Sequence, residues 1–120
     1  MIPNPVVHWE IEAKDVKRVQ EFYSKLFDWH VDANNPMNYG MVDTHTESGI
    51  NGGIPTAEGA NRVSIYIEVA DLDAYLDKAV GLGGKVVMPV TVIPNMVTMA
   101  RFSDPQGNVV GLVKEGSGAH

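Results

Sequence analysis

Cysteine is absent from the chain, which excludes a disulfide scaffold, a thiolate nucleophile and any thiolate-bound metal. Positive charge is scarce as well: nine Lys and Arg against fifteen Asp and Glu give a formal net charge of -6. A field of that sign repels phosphate backbones, so nucleic acid is not an expected partner. No apolar stretch is long enough to span a bilayer, and the opening Met-Ile-Pro-Asn-Pro lacks the basic segment and apolar run of a secretory signal. The expectation is a soluble cytoplasmic protein with no membrane partner. Three enzyme signatures are also missing: a serine in a nucleophile elbow, a phosphate-cradling glycine loop before a lysine, and a dinucleotide fingerprint after a strand.

What remains is an ordinary globular composition, with 44% hydrophobic residues and 12 glycines in 120 residues. That suffices for one domain with a single core. From Val6 to Ile11 the residues favour a strand, and Asp15 then caps a run with apolar residues at 16, 19, 22, 23, 26 and 27. This spacing is helical, because positions three and four apart share a face. A short strand around His30 to Ala33 follows, ended by Asn34-Asn35-Pro36.

The second half repeats the order. Val63 to Val69 reads as a strand, Asp71 as a cap, and apolar residues recur at 72, 75, 76, 79, 80 and 82 before Gly83-Gly84 stops the helix. A displacement of 56 positions lays Val7 on Val63, Ile11 on Ile67, Glu12 on Glu68, Asp15 on Asp71 and Val31 on Val87. These identities fall at strand centre, strand end, helix cap and following strand, as in a duplicated supersecondary unit. The repeats run from about 5 to 55 and from about 62 to 114 within one domain.

Each repeat ends in hairpin material: Tyr39 to Val42 with Gly49 to Ile54, then Val97 to Phe102 with Asn108 to Val113. Asp104-Pro-Gln-Gly-Asn108 supplies a turn, its glycine taking the positive φ that other residues resist. Thr56 to Asn61 is expected to link the repeats, Pro89 to Asn95 to form a loop, and Glu115 to His120 to fray.

Strand side chains alternate between faces. The apolar set, Val7, Trp9 and Ile11 with Val63, Ile65, Ile67 and Val69, is expected beneath the helices. His8, Glu10 and Glu12 with Ser64, Tyr66 and Glu68 then fall on the open face, which is either solvated or a binding surface.

These features resemble the vicinal oxygen chelate superfamily, which includes glyoxalase I, bleomycin and fosfomycin resistance proteins and extradiol dioxygenases. The resemblance runs from Val7 to Val113. Its markers are Asp15 with Glu21-Phe22-Tyr23 and the ending Asp104-Pro-Gln-Gly-Asn-Val-Val-Gly-Leu112. It implies an α+β fold: two tandem βαβββ units forming a curled mixed sheet, an open cup with helices on its outer face. In metal-dependent members the cup holds a divalent ion at positions that correspond to His8, Gly53, Ser64 and Gly111. Only His8 could ligate, since glycine offers no donor and a serine hydroxyl is a poor one. No cofactor is therefore expected, and room vacated at Gly53 and Gly111 would favour an organic ligand lying on bare backbone, unless the glycines serve strand curvature.

The expected ligand contacts are His8, Glu10, Gly53, Ser64, Tyr66, Gly111 and Arg101. Arg101 also reads as a plain surface residue, and Tyr66 as a side chain for a dimer interface. Glu12 and Glu68 read as solvated or bonded to loop amides, and His30 and His45 as surface residues without convergent partners. The function expected is metal-independent binding of a small molecule, an antibiotic or metabolite, by a homodimer. Two alternatives stand beside it. One is a lyase, isomerase or dioxygenase that uses His8 as base or holds a divalent metal with Glu10, Glu12 and Glu68. The other is an interaction module with a vestigial cup.

Overall fold

The computed structural model describes residues 4–116. It divides into two compact units, His8–Ser64 and a second made of residues 4–7 with 65–116. The elements of the first are β1 (Val6–Glu12, from His8 onward), α1 (Val16–Phe27), β2 (His30–Asp32), β3 (Gly40–Asp43) and β4 (Gly52–Ile54). Its strands lie in the order β2-β3-β4-β1. The β2–β3 and β3–β4 pairs are antiparallel and β4–β1 is parallel, with Glu10 opposite Gly53.

Asp15 caps α1 as expected, its Oδ1 accepting the Arg18 amide at 3.4 Å. Asp28 closes the helix in the left-handed region at φ 60°. One inward position of α1 is polar. Gln20 is buried, and its Nε2 donates to the carbonyls of Ile54 at 2.8 Å and Asn38 at 3.3 Å, so its amide ties the helix to the hairpin. Around it Trp29 gathers Trp9, Tyr23 and Phe27 at ring-centroid distances of 5.3, 5.9 and 4.9 Å. Trp9 of β1 and Tyr23 of α1 thereby meet through Trp29, an aromatic link between helix and sheet.

The second unit contains β5 (Arg62–Val69, from Ile65 onward), α2 (Leu72–Gly81), β6 (Lys85–Ile93), β7 (Val97–Ser103) and β8 (Val109–Lys114). The order β5-β8-β7-β6 mirrors that of the first: β5 and β8 are parallel, and the remaining pairs antiparallel. Asp71 accepts the Ala74 amide at 3.1 Å and caps α2. Leu72 and Leu76 of α2 pack with Val69, Ala100 and Leu112 on one face of this sheet. On the other face lies a second cluster of Tyr66, Met99 and Val113, with Val7, Met88, Ile93 and Val97 against it. The α+β class, the mixed strand directions and the tandem βαβββ order are those expected.

Three local expectations fail. Pro89 lies inside β6, not in a loop, because the register shifts between Met88 and Thr91, and an irregular stretch tolerates a residue with no amide to donate. The bend itself lies within the expected segment, at Pro94 and Asn95, with φ 63° at Asn95 and a bond from the Met96 amide to the Ile93 carbonyl. Val63 and Ile65 are exposed, the former by 71%, because α2 covers β5 only from Ile67 on; Val7 joins the Tyr66 cluster. Glu115 is held by its amide to the Val69 carbonyl at 2.7 Å, while residues 117–120 of the expected tail lie outside the described residues. Among the described residues no helix is long and apolar enough to cross a membrane.

Candidate functional site

The polar set of β1 and β5 was expected on an open face, but much of it is buried. Glu10 is 6% exposed and Tyr66 2%, and Glu12 and Ser64 are buried too. Glu10, Glu12 and Tyr66 each bond to a side chain distant in sequence. For Glu10 that side chain is Tyr39, which lies in the loop before β3. Asn35 clasps it at both ends, donating from Nδ2 to the Tyr39 carbonyl at 2.7 Å and accepting the Tyr39 amide at 2.9 Å, while Asn38 turns the chain at φ 52°. The ring thereby lies over Gly53, where any Cβ would overlap its hydroxyl and ring carbons.

Tyr39 links the two expected contacts on β1. Its hydroxyl donates to Glu10 Oε2 at 2.8 Å and meets His8 Nε2, also at 2.8 Å. A phenol has one proton, and with that proton directed at Glu10 the oxygen accepts from His8 Nε2–H. Carboxylate, phenol and imidazole thus form a chain whose half-buried members, Tyr39 and His8, are the ones a ligand could touch.

The second unit reaches a similar end by another route. In register across β5, β8 and β7 stand Tyr66, Gly111 and Arg101. Because Gly111 has no side chain, the Tyr66 ring can lie across it, and a Cβ there would overlap that ring. The phenol oxygen then accepts from Arg101 Nη2 at 2.7 Å. Arg101 is half-buried and bonded, not a plain surface residue, and Tyr66 is too enclosed to serve a dimer interface. The bare backbone expected at Gly53 and Gly111 is absent, since both glycines accommodate tyrosine rings of the chain itself.

Glu12 is neither solvated nor bonded to loop amides. Arg62 Nε donates to its Oε2 at 2.7 Å, which compensates an otherwise costly buried carboxylate. Ser64 Oγ is buried with no hydrogen-bond partner among the described residues. His30 and His45 meet each other, with ring centroids 5.9 Å apart. Among the described residues no three His, Asp or Glu side chains converge to hold a metal, so Glu10, Glu12 and Glu68 do not form a relocated cluster with His8. The positions implied by resemblance do not fit a divalent ion either: His8 bonds to Tyr39, and carboxylates at Gly53 and Gly111 would collide with the two rings.

Tyr39 is the residue that sequence reasoning missed. The β3–β4 register sets Met41, not Tyr39, opposite Gly53. The Asn35 clasp on the Tyr39 backbone and the Glu10 and His8 bonds to its hydroxyl hold the ring across Gly53.

The sequence matches the Glyoxalase/Bleomycin resistance protein/Dioxygenase superfamily over residues 6–112. The chain belongs to that superfamily. It is 33% identical over 113 residues to the putative glyoxylase CFP32 of Mycobacterium bovis, and equally to that of Mycobacterium tuberculosis; the match takes in 86% of this chain and 42% of the relative. The chain thus spans less than half the length of these relatives. Among solved superfamily structures, methylmalonyl-CoA epimerase from Mycobacterium tuberculosis shares the fold with a TM-score of 0.66 at 14% identity, covering 100% of this chain and 94% of that one. A single-substitution variant of the Streptomyces coelicolor methylmalonyl-CoA epimerase in complex with 2-nitronate-propionyl-CoA aligns with a TM-score of 0.60 at 17% identity, covering 95% and 99%. Superfamily members therefore bind small-molecule ligands such as CoA esters.

Proposed function

We propose that this protein binds small organic molecules without a metal, and that within each unit the half-buried polar groups are ligand contacts: His8 and Tyr39 in one, Arg101 in the other. The observation that carries this reading is the placement of Tyr39 over Gly53 and Tyr66 over Gly111, which gives each carboxylate position to an aromatic ring. Glu10 and Tyr66 orient the exposed members from behind. Ligands of the kind bound by superfamily members, including CoA esters, head the candidates, and the working form is a cytoplasmic homodimer for which the exposed Val63 and Ile65 supply apolar surface.

The test is a ligand panel of acyl-CoA esters, antibiotics and metabolites read by thermal shift, run with and without chelator, alongside elemental analysis of the purified protein. Binding that survives chelation and weakens in Tyr39→Phe and Arg101→Gln supports the proposal. Stoichiometric divalent metal that disappears in His8→Ala overturns it.

A further inference from the structure

The two helices are matched position for position by the displacement of 56, and their inward stripes differ in one consequential way. Val16, Val19 and Gln20 of α1 correspond to Leu72, Tyr75 and Leu76 of α2, so the first two turns are filled in both. Further along, Tyr23 of α1 corresponds to Ala79, and Phe27 to Gly83, which lies just past the end of α2. In the first unit the half-buried Tyr23 ring fills that space by stacking on Trp29, and the more exposed Phe27 ring lies tilted against the same indole. The second unit has no rings there, and a groove of about 380 Å³ remains between α2 and its sheet. Ile67, Phe102 and Leu112 form the floor of this groove, and Tyr75, Ala79 and Leu82 its walls.

The groove lies on the opposite sheet face from Tyr66 and Arg101, because Ile67, Phe102 and Leu112 alternate with Tyr66, Arg101 and Gly111 along their strands. Its size falls at the lower end of the range for small-molecule sites. Its mouth is fixed: the Gly84 amide bonds the Ala79 carbonyl at 2.8 Å, and a Cβ at Gly84 would crowd the Ser103 carbonyl, so the helix end sits directly against the end of β7. Leu82, at 72% exposure, stands beside that mouth as an apolar side chain with nothing over it in this unit.

Charge on the lining selects against ions. Lys78 and Asp104, the two charged residues there, have opposite signs. Asp104 is committed to its own turn, accepting from the Gln106 and Asn108 amides and from Asn108 Nδ2. The adjacent C-terminal end of α2 carries partial negative charge, which disfavours an anion, while Lys78 disfavours a cation.

We infer that this groove is a second binding site, on the opposite sheet face of its unit from Tyr66 and Arg101, for an uncharged aromatic molecule of one or two rings. Such a molecule takes the place that the Tyr23 ring occupies in the first unit and packs against Tyr75 and Phe102.

Indole is the probe, titrated into isotope-labelled protein with chemical-shift mapping. Saturable shifts are expected at Ile67, Ala79, Leu82 and Phe102. Indole-3-acetate and tryptamine, the anionic and cationic counterparts, are expected to bind at least about fivefold more weakly. Ala79→Tyr, which installs the residue found at the matched position of α1, is expected to weaken indole by about tenfold or more with an unchanged or raised melting temperature. Leu82→Ser, at an exposed position, serves if that variant fails to fold, and is expected to weaken indole without altering stability. No saturable binding below about 1 mM, shifts confined to the Tyr66 and Arg101 face, an Ala79→Tyr variant that binds undiminished, or tighter binding of either ion would each overturn the inference.

Discussion

In both units a tyrosine ring lies over a glycine on the strand parallel to the unit's first strand, yet the two rings arrive from different places. Tyr66 reaches across Gly111 from β5, whereas Tyr39 comes from the loop before β3. The displacement that superposes the repeats puts Glu10, not Tyr39, at the position of Tyr66. The coverings are therefore separate solutions to one packing requirement, and each gives its phenol a different charge: a carboxylate with imidazole in one unit, a guanidinium in the other. What is common to the two is the glycine with its ring. The chemistry around the phenol is what differs.

Breaking the rings should separate the units most strongly. Tyr66 is nearly inaccessible and anchors an apolar cluster, so Tyr66→Ala is expected to cost about 3–5 kcal/mol in urea unfolding. Tyr39 is only half-buried and rests on a loop, so Tyr39→Ala should cost about 1–3 kcal/mol. Equal losses would mean that burial does not set the difference.

The glycines come next. Gly111→Ala and Gly53→Ala force a methyl into each ring and should each cost about 1–3 kcal/mol by overpacking. The sharper measurement is the double variant Tyr66→Ala with Gly111→Ala. If the ring alone forbids a side chain there, the alanine at 111 becomes nearly harmless once the ring is gone, and the cycle shows a coupling of about 1–2 kcal/mol. Additive losses would point to backbone demands at Gly111 in place of the ring.

The order of elements was legible because it depends on local signals: two aspartate caps, two apolar stripes, and a proline-glycine turn at 104–108. The faces were legible in parity but not in burial. Alternation put Glu10 and Tyr66 on the correct side of their strands, but whether that side is open depends on residues distant in sequence, such as Arg62 for Glu12 or Tyr39 for Glu10. Gly53 and Gly111 were singled out correctly as matched positions, and then misread as vacated space. A missing side chain cannot reveal which neighbour fills its place. The placement of Pro89 failed for a related reason, since the register shift that admits it belongs to the β6–β7 pairing and not to the local sequence.

The caps offer a smaller test of how alike the repeats are. Asp15→Ala and Asp71→Ala should each cost about 1 kcal/mol, the ordinary value of an N-cap side chain. The bond at Asp71 is 3.1 Å and that at Asp15 is 3.4 Å, so the loss at Asp71 should be the larger. The reverse order in chemical denaturation would mean that the caps are set by their surroundings and not by their own geometry.

The weakest expected difference is in acid. Asp104 is held below its ordinary value of 3.8, first by the Asn108 side chain and then by the Asn108, Gln106 and Gly107 amides, all of which favour the charged form. A carboxyl depressed on folding contributes stability that is complete above its unfolded value and disappears as pH falls through the lower folded one. The β7–β8 turn should therefore hold at pH 5 and loosen only below 3.8. In the matching β3–β4 loop Asp43 Oδ1 likewise accepts the His45 amide at 2.8 Å, but Asn51 Oδ1, a neutral acceptor, bonds the Thr44 amide at 3.0 Å, and that second bond has no proton to gain. Followed by amide chemical shifts during an acid titration, Gln106 and Asn108 should move with a midpoint under 3.8 that Asp104→Asn abolishes, while Thr44 keeps its bond to Asn51 through the same range. A midpoint at or above that value would show that the Asn108 contacts do not favour the carboxylate, and the contrast between the two turns would be lost.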